Sequence, residues 1–281
     1  MKNLKTLSII FLLILVGCSK SDTNTDTSND RYRIASYTTS SGKTIYEYDS
    51  NNNITKITAP NRTQTFTYNA QNQITSAYYT NNQQNIVQES YLYDTNGILK
   101  DYQSIQNNKV AYRYEYVNDG QKITTYKYYS QFGNSAPGVL TLVDDYTIVY
   151  NANKQISEVR DVYSTTYVYK TRYEYNTNGN LVASIKYDAS AGANLAIIEK
   201  NQWTYDDKMN LFTNLYPHFV VSPEGKLKNN ILTKRREEFN SSGVSTLLVI
   251  ENNSYTYNAS GYVVQWKTSP TSSTDFVLEK Y

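Results

Sequence analysis

One phrase recurs along this chain and leaves few folds open to it: an aromatic residue, any residue, Tyr, then Asp or Asn, two to four polar residues and an aliphatic. It is read at Tyr46-Glu47-Tyr48-Asp49 with Ile54, Phe66-Thr67-Tyr68-Asn69 with Ile74, and Tyr91-Leu92-Tyr93-Asp94 with Ile98. It continues as Tyr114-Glu115-Tyr116 with Asn118 and Ile123, Ile148-Val149-Tyr150-Asn151 with Ile156, and Tyr173-Glu174-Tyr175-Asn176 with Leu181. The last copies are Trp203-Thr204-Tyr205-Asp206 with Leu211, a degenerate Glu237-Glu238-Phe239-Asn240 with Val244, and Tyr255-Thr256-Tyr257-Asn258 with Tyr262. The second aromatics of the nine copies, from residue 48 to residue 257, recur about every 26 residues, the mark of a repeat architecture.

Each copy has the physics of a β-hairpin. Alternating aromatic and polar residues run into an Asx side chain, which bonds backbone amides two residues on. Asn or Gly then supplies the positive φ of a turn, and the chain leaves through β-branched residues. A period of about 26 residues holds two strands of about 8 and two turns of about 5. The sequence therefore predicts an all-β fold, an antiparallel meander of about nine hairpin repeats.

In Val110–Val117, Tyr112, Tyr114 and Tyr116 share one face while Arg113 and Glu115 share the other. Tyr167, Tyr169, Tyr173 and Tyr175 repeat that alternation. About 18 such strands are too many for a flat open sheet, and a round barrel of that number has a lumen that Tyr side chains do not fill. The expectation is a sheet curled into a flattened, sandwich-like or spiralling form. Residues 209–230, interrupted by Pro217 and Pro223, break the pattern and predict a loop or short helix.

The amino terminus reads as an address. Lys2 and Lys5 precede an apolar run, Leu7 to Val16, about half the length of a membrane-spanning helix. Leu15-Val16-Gly17-Cys18 resembles the bacterial lipobox. That resemblance implies removal of residues 1–17, diacylglycerol on the Cys18 sulfur and acylation of the new amino terminus. Two or three acyl chains make a stable anchor. Ser19 in place of Asp resembles the outer-membrane class of such proteins. Residues 18–30 then form a lipidated polar tether, with no apolar residue from Ser19 to Asp30, and residues 31–281 form a single repeat domain.

The repeat itself resembles the tyrosine–aspartate (YD) repeat of RHS proteins and teneurins. The whole body, about residues 32 to 268, resembles the short YD-repeat lipoproteins of diderm bacteria. Asn replaces Asp at Asn69, Asn151, Asn176 and Asn258, and the Gly-Arg that follows the turn in RHS repeats is missing. No Asp-Pro occurs, so the family's self-cleavage site does not carry over.

Chemistry is sparse. One Cys excludes an intramolecular disulfide or a thiolate cluster, and one His excludes a multi-histidine metal site. With 27 basic against 25 acidic residues the chain has no phosphate-tracking surface, so nucleic acid is not an expected partner. No cofactor motif is present. His218 sits in an apolar stretch with no nucleophile elbow. The acidic pairs Asp144-Asp145, Asp206-Asp207 and Glu237-Glu238 diverge to opposite faces of a strand, so none flanks a scissile bond by itself.

With 30 Tyr against 7 Phe, recurrence at every hairpin favours a structural role for the tyrosines. The candidate binding residues are Trp203, Trp266, Tyr112, Tyr114 and Tyr116, as rings that stack on sugars, together with His218 in the insert. The predicted function is a non-catalytic, outer-membrane-tethered repeat protein. It presents a Tyr-rich β surface to glycan or cell-surface protein partners, or serves as an envelope element. One alternative is a surface carbohydrate-active hydrolase with carboxylates from separate strands. The other, a transmembrane barrel, is disfavoured because strands such as Val110–Val117 have one charged and one phenolic face.

Overall fold

A computed structural model describes residues 31–81, 86–131, 139–163, 167–190, 192, 195–214, 223 and 227–281. Cys18 and His218 lie outside these residues. The described chain is all-β, as the periodicity predicts, with one short 3-10 helix at Leu211–Asn214 inside the insert.

The first wall of the sheet is β1 (Tyr32–Thr39), β2 (Gly42–Tyr48), β3 (Ile54–Ala59), β4 (Arg62–Tyr68), β5 (Ile74–Asn81), β6 (Ile86–Tyr93), β7 (Leu99–Gln106), β8 (Lys109–Asn118) and β9 (Ile123–Ser130). The second is β10 (Thr141–Tyr150), β11 (Ile156–Tyr163), β12 (Tyr167–Tyr175), β13 (Leu181–Asp188), β14 (Ala196–Met209), β15 (Asn229–Phe239) and β16 (Ser245–Asn252). A closing segment follows as β17 (Ser254–Tyr257), β18 (Val263–Ser269) and β19 (Ser272–Lys280). Each strand from β1 to β15 pairs antiparallel with the next, and β19 returns to pair with β1, Tyr32 opposite Lys280. The ladder passes from β16 to β17 through the chain itself. The Asn253 amide still bonds the Leu232 carbonyl on the β15 side (2.7 Å), after which β17 turns its edge to β18. The sheet is thus curled and nearly closed.

The repeated phrase builds one rim. In each turn the Asx carboxylate or amide oxygen accepts two backbone amides. Asp49 Oδ1 takes the amides of Asn51 (2.9 Å) and Asn53 (2.8 Å), and Asp94 those of Asn96 (2.8 Å) and Ile98 (2.9 Å). Asn69, Asn151 and Asn258 repeat the geometry. Three residues after the Asx, φ is positive, which is why Asn or Gly recurs there: Asn52 at 67°, Asn72 at 59°, Gly97 at 76°, Gly179 at 83°. Lys154, at 61°, holds the same position against its own steric preference.

In five copies the Tyr before the Asx joins its hairpin to an earlier one. Its hydroxyl donates to the backbone carbonyl of the earlier repeat's aliphatic: Tyr48 to Ile34 (2.7 Å), Tyr68 to Ile54 (2.7 Å), Tyr150 to Ile123 (2.6 Å), Tyr175 to Ile156 (2.7 Å) and Tyr205 to Leu181. The turns are also stitched sideways, Gln73 to the Gly97 carbonyl (2.6 Å) and Gln155 to that of Gly179 (3.2 Å).

Other copies depart from this pattern. At Tyr116 the clamp is missing; Asn118 occupies its place and donates instead to Asp94 Oδ2 (3.0 Å). The copy at 237–240 has the same turn, with Asn240 Oδ1 accepting from Ser242 and Val244. It joins β15 to β16, however, and alternation of strand direction puts it on the opposite rim. In the copy beyond it, Tyr257 before the Asx donates instead to Asp206 Oδ2, while Tyr255 donates to the Ile231 carbonyl (2.9 Å).

The inner face of the first wall is the main core. Ile34, Tyr46, Ile57, Phe66, Ile74, Ala77, Tyr91, Leu99 and Tyr102 are buried there and continue into Val263, Phe276 and Leu211 of the insert. A smaller cluster of Leu181, Trp203 and Leu227 lies on the second wall.

Candidate functional site

Residues opposite one another in a ladder share a face, so register places side chains directly. One inner row runs Tyr91, Tyr102, Tyr114, Tyr128, Asp144, Tyr163, Tyr167 across β6 to β12. The next runs Tyr116, Tyr126, Tyr146, Asp161, Tyr169. Phenol rings meet along both rows: Tyr91 and Tyr102 at 5.0 Å, Tyr114 stacked on Tyr128 at 4.8 Å, Tyr126 stacked on Tyr146 at 4.1 Å. Burial pushes the Tyr114 hydroxyl up to about 12, and that of Tyr126 higher still, so both are neutral phenols at physiological pH.

At the start of the first row the carboxylate of Glu89 is buried among tyrosines. It accepts from the hydroxyls of Tyr102 (2.7 Å), Tyr79 (3.0 Å) and Tyr91. Where the rows cross β10 and β11 the inner face changes character. Asp144 and Asp161 stand diagonally on neighbouring strands, with Tyr146 opposite Asp161, and the two carboxyls act on one another. Desolvation, then the charge of Asp144, pushes the Asp161 carboxyl up to about 6, against a pull from Lys186. Asp161 Oδ1 is buried without a protein partner. The Lys186 ammonium lies 4.4 Å over the Tyr169 ring. Beyond it Glu199, Arg236 and Glu238 continue the charged lining, with Arg236 paired to Glu199 at 2.9 Å and to Glu238 at 2.7 Å. Tyr163 and Tyr167, at the end of the first row, have rings 6.5 Å apart and are 45% and 50% exposed.

The residues singled out from sequence fall into three places. Tyr112, Tyr114 and Tyr116 come together on the inner face, Tyr112 with its ring 6.0 Å from Tyr102 and Tyr116 buried beside Tyr126. Trp266 lies elsewhere, half-buried, stacked at 6.4 Å on Tyr255 and donating to Asn253 Oδ1 (2.9 Å). Trp203 does not present a ring to solvent. It is 4% exposed, packed in a cluster with Leu181 and Leu227.

The sequence reading allowed for carboxylates from separate strands but named only acids adjacent in sequence, so it met Asp144 beside Asp145 and did not single out Asp161 or Glu89. A signal existed in the strand alternation. Glu89 shares the phase of Tyr91 and Tyr93, and Asp144 that of Tyr146 and Ile148. Their convergence on particular partners depends on register. Among the described residues no group of three or more acids, His or Cys is arranged to hold a metal.

The turn at Asp49, its Asx bonds and the Tyr68 clamp fall within the segment that a family model recognises. Residues 48–84 match the RHS Repeat. No curated protein matches the chain. Among solved structures, the chain is similar to the Tc holotoxin pore of Photorhabdus luminescens carrying a TccC3 D651A mutation (14% identity, TM-score 0.34, 81% of this chain and 13% of that one). It is also similar to a TcdB2–TccC3–Cdc42 structure (14% identity, TM-score 0.35, 85% and 14%). A third is a porin-like protein from Bacteroides uniformis (12% identity, TM-score 0.42, 88% and 96%). The chain spans about one-seventh of the toxin chains it matches.

Proposed function

We propose that this is a non-catalytic repeat protein, tethered to the outer membrane through lipid on Cys18, whose curled sheet presents a binding surface for glycans on its second wall. The observation that carries the reading is the change along the inner rows. Phenols packed into a core on β6 to β9 give way, on β10 to β12, to exposed Tyr163 and Tyr167 beside Asp144 and Asp161. Aromatic faces stack on the C–H face of a sugar, and carboxylates accept its hydroxyls. The recurrent rim tyrosines are spent on holding hairpins together, which separates scaffold from surface.

No observation here favours a hydrolase: Asp144 and Asp161 are diagonal neighbours on adjacent strands of one sheet face.

Two measurements test the proposal. On a glycan array the chain is expected to bind a restricted set of glycans, with signal lost in Tyr163→Ala and Tyr167→Ala at unchanged circular dichroism. Binding that survives both substitutions refutes the site. Fractionation of Cys18→Ser is expected to move the chain out of the membrane pellet, and a variant that stays membrane-bound refutes the tether.

A further inference from the structure

The sheet has one long open edge. Among the described residues every strand of more than four residues has a ladder on both sides except β16, which pairs with β15 alone. The reason is the bend at Asn253. The chain after it pairs with β18, Ser254 opposite Lys267, so β16 runs on past β18 with its far edge uncovered.

Such an edge offers a row of backbone donors and acceptors to any other strand. Proteins usually blunt it with Lys, Pro or a very short strand. A register shift opposite Arg236 and Glu237 twists β16 locally, yet from Asn240 to Asn252 there is no Lys, Arg or Pro. The stretch is instead apolar and exposed, with Val244 at 60%, Leu248 at 48% and Ile250 at 58%, and Leu247 beside them.

We infer that β16 pairs edge to edge with β16 of a second copy of this chain, forming a two-fold antiparallel ladder that continues the sheet from one molecule to the next. The stretch is complementary to itself. Its one charge, Glu251, lies at the end near the bend. A two-fold antiparallel arrangement carries the two Glu251 side chains to opposite ends, each towards the uncharged Val244–Ser245 end of the mate. Apolar residues then meet apolar residues across the axis, and no like charges face each other. Main-chain bonds supply the association, and burial of the Leu247, Leu248 and Ile250 side chains reinforces it.

The test is cysteine cross-linking in the full chain, extracted in mild detergent. Leu248→Cys, next to the two-fold axis, is expected to give a covalent dimer on oxidation, and Leu248→Cys combined with Leu247→Lys only monomer. Val277→Cys, exposed on β19 where both edges are paired, is the expected monomeric control, and the unsubstituted chain controls for Cys18. Superimposable far-ultraviolet circular dichroism checks that the Lys variant is folded. A further cysteine at Leu247 guards against a locally unfavourable register. Monomer from both β16 positions, or equal dimer from Val277→Cys, overturns the inference.

Discussion

The two walls of the sheet are built from one repeated hairpin but lined differently. On β1 to β9 the inner positions hold Ile, Phe, Ala and Tyr packed into one core, with a single carboxylate, Glu89, buried among three phenols. On β10 to β16 the same positions hold Asp144, Asp161, Lys186, Glu199, Arg236 and Glu238, with little apolar cover beyond the small cluster around Leu181. The rim chemistry is common to both: Asx turns, positive φ three residues on, and a Tyr hydroxyl on the neighbouring repeat's carbonyl. The hairpin phrase therefore fixes the rim and leaves the lining free to diverge. One wall uses that freedom for stability, the other for a polar surface.

The largest contrast is expected from removing a carboxylate on each wall. Glu89→Ala withdraws the acceptor from three phenols, two of them buried, and leaves a cavity. It should cost about 3–5 kcal/mol. Glu199→Ala removes a partly exposed ion pair with Arg236 and should cost under about 1 kcal/mol. Urea unfolding followed by circular dichroism measures both. Equal costs would mean that the walls do not differ in how much stability their polar groups carry.

A smaller effect, of opposite sign, is expected at Asp161. Its folded carboxyl titrates near 6, above the unfolded value of about 4. The folded state thus binds the extra proton, and the stability from this group is full below pH about 4 and lost as pH rises to about 6. Asp161→Asn removes that loss. At pH 7 the variant should be more stable by about 1–2 kcal/mol, after allowance for partial solvent screening, and near pH 4 the advantage should vanish. The rim acids run the other way. Asp94, held down first by the Ile98 amide, and Asp119, held down by the Gln121 amide, stabilise above the ordinary carboxylate range and lose that contribution as pH falls. A stability difference between Asp161→Asn and the parent chain that is flat with pH would remove the Asp144–Asp161 pair from the second wall.

The all-β meander and the two-faced strands are legible in the residues because each depends on local spacing. Tyr112, Tyr114 and Tyr116 share a face whatever they pair with. The Asx turn is legible for the same reason, as residues 49 to 53 close on themselves. What sequence leaves open depends on register and on contacts between distant residues. Asp144 meets Asp161 only because Tyr146 stands opposite Asp161. Trp203 is buried in a cluster with Leu227, 24 positions later. The turn at Asn240 obeys the phrase and still falls on the wrong rim, since the phrase encodes a turn and not the direction of the strand that enters it.

The smallest predicted effect asks whether the rim is really shared. Tyr68→Phe on the first wall and Tyr175→Phe on the second each delete one hydroxyl donated to a backbone carbonyl at 2.7 Å, with no change in ring packing. A neutral hydrogen bond of this kind contributes about 1 kcal/mol, so each variant should lose about that much. The carbonyl that loses its donor, Ile54 in one case and Ile156 in the other, lies on a strand next to a turn of the same construction. No wall-specific difference is therefore expected. Because the hairpins are separated by several strands, the double variant should lose the sum of the two to within about 0.5 kcal/mol. If Tyr175→Phe is neutral while Tyr68→Phe is costly, the clamp draws its strength from the tyrosine-packed core and not from the repeat. The two walls would then differ in their rims as well as in their linings.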